Sequence, residues 1–71
     1  MKIWKPEEIK WRDEGSDTFV SEPLVMASNA GWYIGEIYKE SDGFVMPYDR
    51  LSDYHSTPEE VTQLIEELGW N

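Results

Sequence analysis

The spacing of hydrophobic positions changes along this chain. In "TPEEVTQLIEELG", residues 57–69, Val61, Leu64, Ile65 and Leu68 fall at i, i+3, i+4 and i+7, the spacing of one helical face. Thr57 stands at the N-cap position and Pro58 at the first helical position, and Glu60 completes a T-x-x-E capping box. Gly69 supplies a left-handed stop. The pattern predicts a C-terminal helix of about eleven residues, too short to hold in water unless it packs on other structure.

Upstream the period is two. In "GWYIGEIYKE" Trp32, Ile34 and Tyr38 alternate on one face with Glu36 among them, while Tyr33 and Ile37 flank Gly35 on the other. Asp42-Gly43 then signals a hairpin, because a tight primed turn needs positive φ angles that glycine adopts without strain. "GFVMPY" is the return strand, with Phe44, Met46 and Tyr48 on one face, and Pro47 confines it to an edge or ends it. "TFVSEPLVMAS" carries Phe19, Val20, Leu24, Val25 and Met26 around Pro23 and reads as an edge strand in two pieces. "SNAG" at 28–31 reads as a turn and "GSD" at 15–17 as a loop. In "KPEEIKWRDEG" Pro6, Glu7 and Glu8 suit a first helical turn, but Ile9 and Trp11 lie only two apart. A short N-terminal helix and an irregular turn both fit. The expected architecture is one small α+β domain over residues 1–71. It comprises a three-stranded antiparallel sheet, the C-terminal helix packed on one face, and an N-terminal segment at 1–17.

Size adds a constraint. A 71-residue chain buries only about 60% of the surface its unfolded form exposes, and small domains of this kind usually carry a staple. Cysteine is absent, which excludes disulfides. The ten aromatic side chains, each able to bury roughly 150–250 Å², are the natural substitute, and a homodimer is the other. No signal-peptide pattern and no apolar run of membrane-spanning length is present, so a cytoplasmic protein is expected.

Charge changes the picture most. Fifteen acids against six bases give −9. Residues 1–39 hold seven acids and five bases, whereas residues 40–71 hold eight acids against Arg50 alone. Phosphate binding relies on clustered Lys and Arg, so direct binding to nucleic acid or to an anionic membrane is not expected, and a basic protein surface is the complementary partner. Glu66 and Glu67 sit in the last helical turn, where each costs about 0.3–1 kcal/mol against the helix dipole with no lysine at i±4 to offset it. Glu59, Gln63, Glu66 and Glu67 share the outward face and form a carboxylate ribbon roughly 10 Å long at 1.5 Å rise per residue. Together with Asp42, Asp49 and Asp53 this ribbon imitates a short run of phosphates, and solubility is the competing explanation.

The sequence offers little chemistry for catalysis. His55 is the single histidine, near Ser52 and Ser56, and a triad needs a base oriented by a third group. The acidic groups Asp13/Glu14/Asp17 and Asp49/Asp53/His55 match neither a calcium loop nor a zinc spacing. No catalytic residue, metal ligand or cofactor is assigned. Trp32, Tyr33, Tyr38, Tyr48 and Tyr54 cannot all point inward from a single sheet under one helix. Several of them, with Trp32, Tyr33 and Tyr48 as the candidates, are expected to present an aromatic patch of the kind that anchors protein interfaces.

Residues 31–60, "GWYIGEIYKESDGFVMPYDRLSDYHSTPEE", resemble small proteins encoded by bacterial viruses. In those a W-x-I-G strand, a D-G turn, an aromatic-rich return strand and a capped helix follow one another. In general character the chain is similar to anti-CRISPR and anti-restriction inhibitors, which are short, acidic and cysteine-poor and occupy basic grooves of nucleic-acid-handling enzymes. The shared motifs are structural and carry no functional residue across. The resemblance implies a non-enzymatic inhibitor in the cytoplasm of a bacterial host; the charge and aromatic patterns, not the resemblance, make Glu59, Glu66, Glu67, Asp42, Asp49, Asp53, Trp32, Tyr33 and Tyr48 the expected partner-binding residues. The alternatives are an assembly module that homodimerises through an exposed aromatic sheet face, and a small hydrolase centred on His55.

Overall fold

A computed structural model describes residues 2–70, so Met1 and Asn71, the ends of the expected domain, lie outside the described residues. Six strands form one antiparallel sheet: β1 (Lys2–Ile3), β2 (Trp11–Gly15), β3 (Thr18–Ser21), β4 (Leu24–Ser28), β5 (Gly31–Lys39) and β6 (Val45–Arg50). The helix α1 (Pro58–Leu68) follows, and a 3-10 turn at Pro6–Glu8 separates β1 from β2. Tyr38 and Lys39 pair with both β3 and β6, and Gly35 with both β4 and β6. β3 and β4 therefore share one edge of β5, and β6 takes the other. β1 and β2 pair with the far sides of β4 and β3. The six strands thus lie in four rows, β1/β2, β3/β4, β5 and β6, each following the last along the chain.

The three-stranded sheet expected from the sequence is therefore wrong, and the missing strands are in the N-terminal segment. The Pro-Glu-Glu start at residues 6–8 yields only three residues of 3-10 helix, with none of its residues buried. No apolar residue three or four positions from Ile9 gives that turn a face to bury, so a longer helix has no support. The two-residue spacing of Ile9 and Trp11 continues instead as a strand. The β3/β4 row is interior rather than an edge, because Pro23 falls in the gap between its two halves, where no ladder bond is demanded of it.

Two hairpins close in two residues. Gly15 pairs with Thr18 around Ser16 and Asp17, whose φ values of 53° and 59° are both positive, the type I′ pattern. Ser28 pairs with Gly31 around Asn29 and Ala30. The β5–β6 connection is longer than the primed turn expected at Asp42-Gly43. Gly43 alone in that loop has positive φ, its N–H donates to the Glu40 carbonyl at 2.9 Å, and Glu40 donates to the Phe44 carbonyl at 3.0 Å. The Asp42 carboxylate accepts from the Phe44 N–H at 2.9 Å.

Helix α1 packs on β4 and β5, burying Val61 and Ile65 against Val25 and Ile34 with Trp4, Trp32, Leu51 and Leu64 around them. Full burial of such aliphatic side chains is worth about 1.5–3 kcal/mol each, which is what holds so short a helix. Its start and stop are local. The Thr57 hydroxyl accepts from the Glu60 N–H at 3.2 Å, and Gly69 is left-handed at φ 69°. Leu68, expected on the buried stripe, stays 47% exposed.

Val20, Met26 and Ile37 are buried outside that cluster. Gly35 makes this packing possible. A Cβ there would meet Tyr33 Cε2 at 2.7 Å, Met26 Sδ at 2.8 Å and the Asp49 carbonyl oxygen at 3.1 Å. Where neighbouring rows lapse, serines complete the ladder. The fully buried Ser21 hydroxyl accepts from the Ile37 N–H at 3.0 Å, and the Ser52 hydroxyl accepts from the Ile34 N–H at 2.8 Å.

Candidate interaction surface

β6 pairs with β5 on one side only, and all six of its residues are exposed. Because the Ile37 N–H points toward Ser21, the Ile37–Pro47 pair is one in which neither residue bonds across to the other strand. The Pro47 nitrogen accordingly faces outward, toward the open edge, where a proline offers no donor. Asp49 stands opposite Glu36 and Pro47 opposite Ile37, which leaves Tyr48 as the extra residue of a bulge. Its ring is 58% exposed and meets Tyr38 edge-on at 5.8 Å. The Tyr38 hydroxyl donates to Met46 Sδ at 3.3 Å. Phe44 at 66%, Met46 at 40% and Val45 at 37% exposure extend the row. Such a strand is poorly suited to pairing through its backbone, and it offers side chains instead.

Beside this row lies a second aromatic group. Tyr33 is half-buried and meets Tyr54 edge-on at 5.5 Å, and Tyr54 is itself exposed. The Arg50 guanidinium lies 4.8 Å from the Tyr54 ring centre and donates to the Ser52 carbonyl at 2.7 Å. Arg50 is therefore held along the surface.

The helix glutamates divide by role. Glu59, Glu66 and Glu67 are exposed, with no base in the last turn, and the Gln63 amide donates to Glu67 at 3.3 Å. Glu59 and Glu66 border a groove beside Trp4 and Lys5. Glu60 is a structural residue. It accepts from the Ser56 hydroxyl at 2.7 Å and the Thr57 hydroxyl at 3.3 Å, and His55 Nδ1 lies 3.6 Å away. The Ser56 hydrogen bond, ahead of those from Thr57 and His55, holds its carboxyl below the ordinary range. The His55 main chain meanwhile exchanges two hydrogen bonds with Trp32, at 2.8 and 2.6 Å. Ser52 and Ser56 spend their hydroxyls on Asp53 and Glu60, so neither is directed at His55 as a nucleophile. No group of three or more His, Asp or Glu able to hold a metal occurs among the described residues.

The nine residues singled out from sequence are thus separated. Tyr48 and Asp49 lie on β6, Asp53 in the exposed loop after it, and Asp42 at the hairpin tip with its carboxylate engaged in the turn. Glu59, Glu66 and Glu67 lie on α1, which packs over β4 and β5. Trp32 is not at the surface patch. It packs against the core, edge-on to Trp4 at 5.8 Å, with Lys2 Nζ 5.3 Å from its ring centre. Sequence reasoning missed Phe44, Val45 and Met46 as surface residues, although Pro47 within an apolar strand was the available signal.

No protein-family model matches the chain, and no curated protein or solved structure matches it. No helix among the described residues is long and apolar enough to cross a membrane.

Proposed function

We propose that this protein is a non-enzymatic binding module that engages a basic surface on a nucleic-acid-binding protein of a bacterial host, in the cytoplasm, and blocks it. The observation that carries this reading is the β6 row. Phe44, Val45, Met46 and Tyr48 stand in solvent beside Asp42 and Asp49, on a chain of net charge −9. An apolar row with an acidic rim suits a partner that offers a hydrophobic recess among lysines and arginines. Long-range attraction speeds the encounter and the desolvated aromatics supply residence time. The exposed Glu59, Glu66 and Glu67 extend the negative field along α1.

The test is retention of partners from nuclease-treated bacterial lysate by tagged protein, read by mass spectrometry. Wild type is compared with Tyr48→Ser/Met46→Ser and with Glu59→Gln/Glu66→Gln/Glu67→Gln, each checked for folding. A basic nucleic-acid enzyme held by wild type, released by DNA or 0.5 M salt and lost in the β6 variant, is the expected result. Retention unchanged by salt would remove the electrostatic half of the proposal. A mass that rises with concentration, with no partner retained, would reassign the row to a homodimer.

A further inference from the structure

We infer that the cavity between the N-terminal row and α1 binds a small amphipathic monoanion, a carboxylate carried on an apolar body. The cavity measures about 450 Å³, within the roughly 300–1,000 Å³ range of small-molecule sites. Leu24, Ile65 and the half-buried Trp4 give it an apolar wall, and Lys5 and Lys10 also line it. The cations elsewhere explain why these two matter. Lys2 sits over Trp32, and Lys39 sits 4.6 Å from the Trp11 ring centre. Arg12 lies within 4 Å of Glu14, Glu22 and Glu36, and Arg50 is committed to Tyr54 and Ser52. Lys5 and Lys10 alone enter no ion pair and no cation–π contact among the described residues.

Among the described residues only Arg12 of the six bases pairs with a carboxylate, and Lys5 and Lys10, which no aromatic ring holds either, both line this one cavity. Their backbones are pinned. Glu22 N–H donates to the Lys10 carbonyl at 2.8 Å, Trp4 N–H to Val25 at 2.9 Å, and Glu8 N–H to Lys5 at 3.1 Å. Lys5 is held left-handed at φ 56°, a conformation that a non-glycine residue keeps only under constraint. Glu8 lines the same cavity, so its walls carry a net charge of one positive unit. Glu59 and Glu66 border the neighbouring groove on Lys5. One positive unit is matched by a single carboxylate, and a second negative charge on the ligand would stand without a counter-charge near Glu59 and Glu66. The apolar wall calls for a hydrocarbon body beneath the charge.

The experiment uses decanoate as probe, followed by amide and indole chemical shifts of the ¹⁵N-labelled protein, with decanol as the uncharged control. Saturable shifts at Trp4, Leu24 and Ile65 with decanoate, absent with decanol, are expected. In Lys5→Gln/Lys10→Gln affinity should fall about tenfold, the loss of charge-assisted hydrogen bonds to one carboxylate. Both substitutions keep most of the aliphatic stem, and the spectrum itself reports whether the fold survives. Equal binding of decanol, an unchanged affinity in the double variant, or no saturable shift below the micelle concentration of decanoate would each overturn the inference.

Discussion

The sheet has two outer rows, and they handle exposure differently. The β1/β2 row is broken by the left-handed Lys5 and a 3-10 turn, carries Arg12, Asp13 and Glu14 along β2, and turns Trp4 into the core. Its apolar content is spent inside the molecule. The β6 row has two backbone protections of its own, Pro47 and the bulge at Tyr48, yet leaves Phe44, Val45, Met46 and Tyr48 in water. Protecting an edge needs charge, proline or a bulge, and does not need exposed hydrophobic side chains. The first row shows that this chain can build an edge without them. Protection of the edge does not account for those on β6, and the proposed contact rests on them.

The largest effect is expected in the integrated row. Trp4→Ala should cost about 3 kcal/mol by urea denaturation, because it removes the aromatic that joins the N-terminal row to Trp32 and the helix-side cluster. A loss below 1 kcal/mol would mean that this row is laid on the surface rather than anchored. Gly35→Ala should cost about 2 kcal/mol, since the new methyl meets the Asp49 carbonyl oxygen and forces β6 away from β5. If stability is instead unchanged and the Tyr33 and Met26 side chains simply shift, the close approach is not what fixes β6.

Pro47→Val sharpens the contrast with little effect on stability, within about 0.5 kcal/mol for an exposed position. It restores an outward N–H to an apolar edge, so sedimentation should show stronger concentration-dependent association than wild type. A variant that associates no more than wild type would show that the proline is not the guard of this edge. The smallest effect concerns the helix start. Because the Glu60 carboxyl titrates below the ordinary 4.5, its ionised form favours the folded state. That contribution is present in full above pH 4.5 and lost as pH falls below it. Wild type should therefore exceed Glu60→Gln in stability near neutrality, and the gap should close in acid. A gap that widens in acid would reverse the assignment.

Legibility in the sequence followed how local each signal is. The helix was readable because Thr57, Pro58, Glu60 and Gly69 fix its ends within one turn and Val61 and Ile65 mark its buried stripe. β5 was readable from its alternation. β2 was not, because "WRDEG" has one apolar residue and an edge row with both faces partly wet imposes no alternation. Helical spacing places the acids on the exposed face of α1, but their separation from β6 follows from sheet topology, which residue spacing does not encode. Trp32 and Tyr48 looked alike in sequence. One lies beneath a neighbouring tryptophan and the other on a bulge, and only the pairing register separates them.

Ser21 has a consequence for anyone scanning this protein by mutation. Its hydroxyl takes the place of a peptide carbonyl for Ile37 in the dry centre of the sheet. Alanine there would strand an amide that water cannot reach. In a deep mutational map position 21 will stand out as an intolerant polar site and resemble a recognition residue. It will nonetheless be a fixed part of the scaffold, while the exposed β6 positions proposed for contact will look permissive until binding, rather than folding, is the trait selected.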